Sequence, residues 1–284
     1  MEIRNAEQDP YLRAARIIRD CNAVLITAGA GLGVDSGLPD FRGTEGFWRA
    51  YPAFQKKGLD FYDLANPRWF KENPSQAWGF YGHRLNLYRA TRPHAGFKTL
   101  LNWTSKVVDN YFVFTSNVDG HFQKAGFSQD RVYECHGSFE FLQCSDSCTG
   151  RIWPAADTRI EIDEESLTAT SNIPLCPDCG SVARPNILMF GDGHWIPDYH
   201  QAQNRKYNQW LSEISKQTRI AIVELGAGTA IPTVRSESEK VAREFAQPMI
   251  RINPRESSGP DSCISIPGGG LESLRQLDNA LKLV

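Results

Sequence analysis

The sequence predicts an α/β protein built on a parallel sheet and joined to a smaller metal-binding and helical module. Three observations predict it: short apolar runs alternating with helical stretches, glycine- and amide-rich turns at the C-terminal ends of those runs, and two close pairs of cysteines. A strand covered on both faces reads as a continuous apolar run. Residues 23–27, 111–115, 220–223 and 249–252 read this way. Helical stretches at 95–103 and 236–245 separate them, the alternation of a parallel sheet.

Upstream of the first run, Asp9-Pro10 predicts an N-cap followed by proline at the first helical position. Leu12, Ala15, Ile18 and Cys21 repeat at helical spacing, enough for about three turns. Two regions break the alternation. Residues 46–92 are aromatic-rich, with Trp48, Trp69 and Trp78, and read as helical; residues 139–193 hold the paired cysteines and little helical periodicity. The expected division is therefore 1–45, 93–138 and 194–284 for the sheet domain, 46–92 for a helical insertion and 139–193 for a zinc-binding module. Both insertions are expected to form a lid over the sheet. Residues 160–172 (IEIDEESLTATSN) predict a solvated loop or hairpin edge.

Composition excludes some classes. The 284 residues carry 31 Lys+Arg against 33 Asp+Glu, a net charge of −2, which argues against a nucleic-acid partner, since such domains run basic. No window approaches the ~20 apolar residues of a membrane span, and the charged N-terminal stretch shows no signal-peptide pattern. A soluble, cytoplasmic protein without a membrane partner is the expectation.

The odd cysteine count, seven, favours metal binding or free thiols over a disulfide framework. Cys144-x3-Cys148 and Cys176-x2-Cys179 match two knuckles of a closed, structural four-thiolate zinc site; the alternative is four buried cysteines acting as small hydrophobes. Cys21 and Cys263 read as core, and Cys135 as a buried thiol.

Five turns carry chemistry. In TAGAGLGVDSGLPDFRG (27–43), Gly29, Gly31 and Gly33 follow the first strand as in a phosphate-binding loop, yet Val34 takes the place of the last glycine of G-x-G-x-x-G. No strand-end acidic residue about 20 positions on offers a ribose ligand, so a hydride-transfer reading fails. In TSNVDG (115–120), Asn117 and Asp119 stand at a strand's carboxyl end, suited either to gripping a carboxamide or to an Asn/Asp turn. In ECHGS (134–138), His136 is either a general base or a structural histidine. Gly226-Ala227-Gly228-Thr229 and Asn253-Pro254 put small or amide residues after two further strands.

Taken in order with ARPNILMFGD (183–192) and RIN (251–253), these pieces resemble the sirtuins, the NAD-dependent protein deacylases, from about Ala14 to the C-terminus. The resemblance implies a Rossmann-like NAD-binding domain with a zinc-binding and helical module. It implies NAD as cofactor, structural zinc, an acyl-lysine protein or peptide as substrate, and nicotinamide and O-acyl-ADP-ribose as products. By the same resemblance Gly29, Ala30 and Gly31 line the pyrophosphate, and Asp40, Phe41 and Arg42 belong to the cofactor loop. Asn117 and Asp119 form the nicotinamide pocket, and His136 is the general base. Ser116, Gly226, Ala227, Gly228, Asn253 and Gly270 complete the cofactor site. Met189, Phe190 and Gly191 match the strand that pairs with the substrate peptide. FYGHR (80–84) resembles the F-Y-x-x-R of sirtuins that accept succinyl or malonyl groups. Tyr81 and Arg84 share a helical face and offer a two-point carboxylate receptor; the alternative is a surface arginine beside a core tyrosine. The motif also occurs in sirtuins that remove acetyl groups, so it widens the substrate range without fixing it.

The chain departs from the family at Gly33 (usually Ser), Ser116 (usually Gln), His121-Phe122 (usually Leu-His) and Gly226-Ala227-Gly228 (usually Gly-Thr-Ser), with Thr229 in a position to recover one hydroxyl. These changes surround the NAD site and leave Asn117, Asp119 and His136. NAD cleavage is expected to survive, with ADP-ribosyl transfer or NAD hydrolysis as the alternative to deacylation. A non-catalytic NAD-binding module is a third reading, against which the retained trio speaks.

Overall fold

The computed structural model describes residues 8–39, 44–106, 110–214 and 218–284. In chain order, α1 (Pro10–Asp20), β1 (Ala23–Ala28) and the single turn α2 (Gly31–Val34) lead into four short helices between Thr44 and Glu72. Then follow α3 (Pro74–Ala90), α4 (Ala95–Lys106), β2 (Tyr111–Thr115), β3 (Val132–Glu134), β4 (Gly137–Cys144), β5 (Ile152–Pro154), β6 (Ile162–Asp163), β7 (Thr168–Ala169) and β8 (Ala183–Ile187). The chain closes with α5 (Asp198–Glu213), β9 (Ile220–Leu225), α6 (Thr233–Phe245), β10 (Met249–Ile252), β11 (Ile264–Ile266) and α7 (Gly270–Leu281).

Six strands form one parallel sheet in the order β11-β10-β9-β1-β2-β3. The order reverses between β1 and β9, the switch point at which open α/β sheets bind ligands. All six residues of β1 and of β9 are buried, because helices cover both faces. Val24, Ile26 and Ala28 pack into one core with residues of α1, α4 and α7. Ala23 and Leu25 point the other way, into a core with α5 and α6. The Asp9 carboxylate caps α1 by accepting from Tyr11 N at 2.8 Å.

The aromatic helices and the cysteine-bearing segment share a third core. Phe47, Phe54, Phe70 and Trp78 pack there with Phe139, Leu142 and Ile187. The cysteine segment folds as an antiparallel sheet in the order β5-β4-β8, with β6-β7 a separate hairpin at the stretch expected to be a solvated loop or hairpin edge. Helix α3 is buried around most of its circumference, at ten positions including Trp78, Phe80, Tyr81 and Arg84. Among the described residues, no helix is long and apolar enough to cross a membrane.

One expectation about the core is corrected. Cys263 precedes β11 and is only half-buried, since a turn closed by Cys263 N donating to Pro260 O holds it outside the strand. Cys21 and Cys135 are buried as expected.

Candidate functional site

The carboxyl ends of β1 and β9 are joined by backbone. Gly29 N donates to Leu225 O at 2.9 Å, and Gly31 N to Gly226 O at 3.0 Å. A Cβ on Gly31 would sit 2.8 Å from Gly226 Cα, and one on Gly226, held at φ +60°, would overlap the backbone at Leu32. Gly31 is required by this approach, and Gly226 by the approach and its positive φ. Gly31, Gly226, Gly228 and Asn253 line an open cavity of about 610 Å³, and Asn253 Nδ2 holds the turn by donating to Ala227 O at 2.8 Å. This glycine-lined cradle with its amide, rimmed by Asp35, Thr229, Arg255 and Glu256, fits the diphosphate and ribose of a dinucleotide.

Two expected members of this end sit differently. Gly270 is the first residue of α7 and packs on Leu32 and Asp35, while its neighbour Gly269 lines the cavity. The Thr229 hydroxyl is not a spare replacement for the missing family hydroxyls, because Glu256 accepts from both its Oγ1 and its backbone N. Asp40, Phe41 and Arg42 lie outside the described residues.

A second cavity of about 260 Å³ adjoins, and Ala30, Ser116, Asn117, Asp119 and His136 all line it. The turn after β2 is built locally: Thr115 Oγ1 donates to Ala28 O at 2.9 Å and accepts from Asn117 N at 3.0 Å. Asn117 Nδ2 then donates to Gly29 O at 3.1 Å, tying this turn to the glycine loop. Asp119 Oδ1 accepts from His121 N at 2.9 Å. His136 stands in the turn between β3 and β4, its carbonyl accepting from Leu188 N at 2.9 Å. Burial, and secondarily the charge of His200, lowers its pKa, so its ring is neutral at pH 7 and able to accept a proton.

The far wall comes from α3. Tyr81 and Arg84 line the cavity, and Arg84 Nε and Nη2 donate to Tyr88 Oη at 3.0 and 2.8 Å. The guanidinium carbon lies 5.3–5.8 Å from the rings of Phe61, Phe80, Tyr81, Tyr88 and Phe139. Among the described residues the buried Tyr81 hydroxyl has no hydrogen-bond partner. Arg84 is thus buried in an aromatic cage, which sets aside the surface-arginine alternative.

The segment 189–191, matched in sequence to a peptide-pairing strand, follows the end of β8 as a turn. Met189 is buried in the aromatic core, Phe190 N donates to Ala65 O at 2.8 Å, and Gly191 has φ +67°. A buried ion pair fixes the turn: Arg184 Nη1 and Nη2 reach Asp192 at 2.8 and 2.7 Å. The paired donors and acceptors make this a bidentate contact.

Three features escape sequence reasoning. One is this Arg184–Asp192 pair. The second is Arg251 of the RIN segment, which binds Glu224 at 2.5 Å and Glu239 at 2.8 Å and donates to Ser258 O at 2.7 Å, so it braces the loop beyond Asn253. The third is Glu134, buried beneath the His136 turn and held by Tyr199 Oη at 3.1 Å and Gln203 Nε2 at 3.4 Å. Burial raises its carboxyl to about 7.

The sulfurs of Cys144, Cys148, Cys176 and Cys179 all lie within 4.8 Å of one another. The Cys144–Cys179 and Cys148–Cys176 separations are both 3.6 Å, far beyond the about 2.0 Å of a disulfide. Four thiolates at about 2.3 Å from zinc define a tetrahedron with edges of about 3.8 Å, so the donor set fits a closed structural zinc site. In the second knuckle Gly180 N donates to Cys176 O at 3.0 Å, with Gly180 at φ +76°.

A reversing parallel sheet with a glycine cradle at its switch point, flanked by a four-cysteine module, defines a dinucleotide-binding enzyme class. The Sir2 family model matches residues 29–212, and the chain belongs to the Sir2 family. An NAD-dependent protein deacylase of Aquifex aeolicus is 29% identical over 244 residues, 84% of this chain and 86% of that protein. A probable bifunctional ADP-ribose hydrolase/ADP-ribosyltransferase of Fusarium oxysporum is 30% identical over 82% of this chain, which spans 40% of that longer protein. Among solved structures, a Sir2 homolog in complex with NAD superposes with a TM-score of 0.70 at 23% identity, covering 95% of this chain and 93% of that one; the likeness is one of fold.

Proposed function

We propose that this chain is an NAD-dependent protein-lysine deacylase that releases nicotinamide and O-acyl-ADP-ribose. The observation that carries the reading is that Asn117, Asp119 and His136 line one cavity with Tyr81 and Arg84, beside the glycine cradle. Bound NAD supplies a ribose carbon activated by departure of nicotinamide. Gly29, Ala30, Gly31, Gly226, Ala227, Gly228 and Asn253 hold its phosphates and ribose, with Ser116 and Gly270 at the margins. By the resemblance, Asp40, Phe41 and Arg42 belong to the cofactor loop. Asn117 and Asp119 grip the carboxamide. His136, neutral through burial, takes up a proton at its free ring nitrogen. The apolar walls around them exclude water, which would otherwise hydrolyse the activated sugar. The substrate peptide runs along Met189, Phe190 and Gly191.

The caged Arg84 guanidinium and the buried Tyr81 hydroxyl support acceptance of acyl groups ending in a carboxylate, succinyl or malonyl, beside acetyl. In such a dry, ring-lined pocket the attraction between a guanidinium and an incoming carboxylate is little screened. We further assign residues 1–45, 93–138 and 194–284 to the NAD-binding domain, 46–92 to the helical insertion and 139–193 to the zinc module. The three cysteines outside the zinc set, Cys21, Cys135 and Cys263, form no disulfide, which supports a reducing, cytoplasmic location.

A second reading, ADP-ribosyl transfer, is favoured by the Fusarium relative's name and by a 226–228 turn without hydroxyls. Incubation with NAD and acyl-lysine peptide separates the two. O-acyl-ADP-ribose formed only when the peptide is present is the expected result; ADP-ribosylated protein without acyl peptide would overturn deacylation.

A further inference from the structure

His121 is buried, and among the described residues neither of its ring nitrogens has a hydrogen-bond partner of good geometry. A buried polar ring left unsatisfied costs stability and calls for a reason. An apolar side chain would avoid that cost, and leucine is the residue sirtuins usually carry here. The ring is held edge-on against Phe97 at 5.7 Å. It sits at the start of a short helix entered through Gly120 at φ +67°. Its Nδ1 is 4.0 Å from Asp119 Oδ2, while its backbone N already donates to Asp119 Oδ1. The other groups acting on the ring are Lys124, whose charge opposes a proton there, and the Thr91 backbone, which favours one; burial, the largest influence, keeps the ring neutral. Gly33 also faces this carboxylate: a Cβ there would lie 3.7 Å from Oδ2. The serine usual at that position would bring a hydroxyl to the same oxygen, and this chain has none to offer.

We propose that His121 is a positioning residue that takes the place of the missing hydroxyl, its ring N–H restraining Asp119 Oδ2 and so setting the affinity of the pocket for the nicotinamide carboxamide. The proposal rests on the reading of Asp119 as a nicotinamide ligand. The neutral ring carries one proton, which the proposal places on Nδ1, the nitrogen that faces Asp119 Oδ2. At 4.0 Å, with both side chains buried, ring and carboxylate attract as dipole and charge and not through a formed hydrogen bond.

The test measures the KM for NAD, inhibition by nicotinamide and thermal stability in His121→Leu, His121→Asn, Gly33→Ser/His121→Leu and Asp119→Asn. His121→Leu is expected to melt at or above the wild-type temperature, yet to raise the KM for NAD and the nicotinamide inhibition constant about tenfold, with kcat within about twofold. A donor supplied by His121→Asn, or by serine in the double variant, is expected to bring both constants back to within about threefold of wild type. Wild-type constants in His121→Leu, alongside weakened binding in Asp119→Asn, would overturn the proposal and leave the pocket reading intact. Wild-type constants in Asp119→Asn would overturn both.

Discussion

The parallel sheet and the aromatic lobe contribute to one site by opposite means. At the sheet's switch point the ligand surface is backbone: Gly31 and Gly226 in contact, and a strand-end turn tied to the glycine loop by Asn117. In the lobe it is side chain: Arg84 among five rings and a turn pinned by Arg184 and Asp192. Backbone at the ends of registered strands needs little further support, because Gly29 N, Gly31 N and Gly226 N are held by Leu225 O, Gly226 O and Ile252 O. Side chains extended from helices need a rigid scaffold, and here the scaffold includes four cysteines. The proposed cofactor end is therefore set by topology, and the proposed acyl end by packing.

Removing the metal scaffold should separate the two regions most sharply. Cys176→Ser, or prolonged chelation, is expected to cost more than about 100-fold in activity, because structural zinc binding is itself folding energy. Tryptophan fluorescence should report loosening around Trp69 and Trp78, while the sheet's far-ultraviolet dichroism persists. The reverse lesion is Gly226→Val, which places a branched side chain at φ +60° against Leu32. Strain of about 3 kcal/mol corresponds to about 100-fold weaker NAD binding, readable by calorimetry, with the lobe unaffected.

Glu134, beneath the seam, gives a pH-dependent effect. Its carboxyl is raised from 4.5 to about 7 by burial, so the folded protein retains a proton that the unfolded chain gives up. The resulting cost is absent below about pH 4.5, grows as pH rises towards 7, and is constant above. Each tenfold difference in proton affinity between the folded and unfolded chain is worth about 1.4 kcal/mol, so the cost is at most about 3 kcal/mol. Glu134→Gln should therefore raise the melting temperature about one pH unit above the folded carboxyl's value and leave it nearly unchanged at pH 4.5. The smallest effect expected is Arg84→Met: desuccinylation falls about tenfold, the scale of one charge-assisted contact, while deacetylation stays within about threefold, measured on matched peptides.

The same contrast explains what the sequence makes legible. Strands β1, β2, β9 and β10 are the centre of the sheet, covered on both faces, and their unbroken apolar runs announce them. The edge strands β3 and β11 have three residues each, too short for a run or a period to register. The cysteine knuckles are local in sequence, so spacing alone pairs them. The braces are not legible: Arg251 meets Glu224 across two strands 27 positions apart in the chain, and no spacing rule links them. The Tyr88 contact to Arg84 lies at helical spacing i, i+4, yet spacing alone leaves open whether Arg84 faces solvent or a pocket. The resemblance puts Met189 to Gly191 in a strand because it transfers the segment's order, while the strand's end is set by the Arg184–Asp192 pair.

The central claim is that His136, on the seam between these regions, accepts the proton that drives acyl transfer. Its most direct test is His136→Ala assayed with NAD and an acetyl-lysine peptide, following peptide deacylation and NAD affinity together. Deacylation is expected to fall by about 10² to 10⁴, the range of a lost general base, with NAD affinity within about threefold of wild type. Deacylation at the wild-type rate would contradict it.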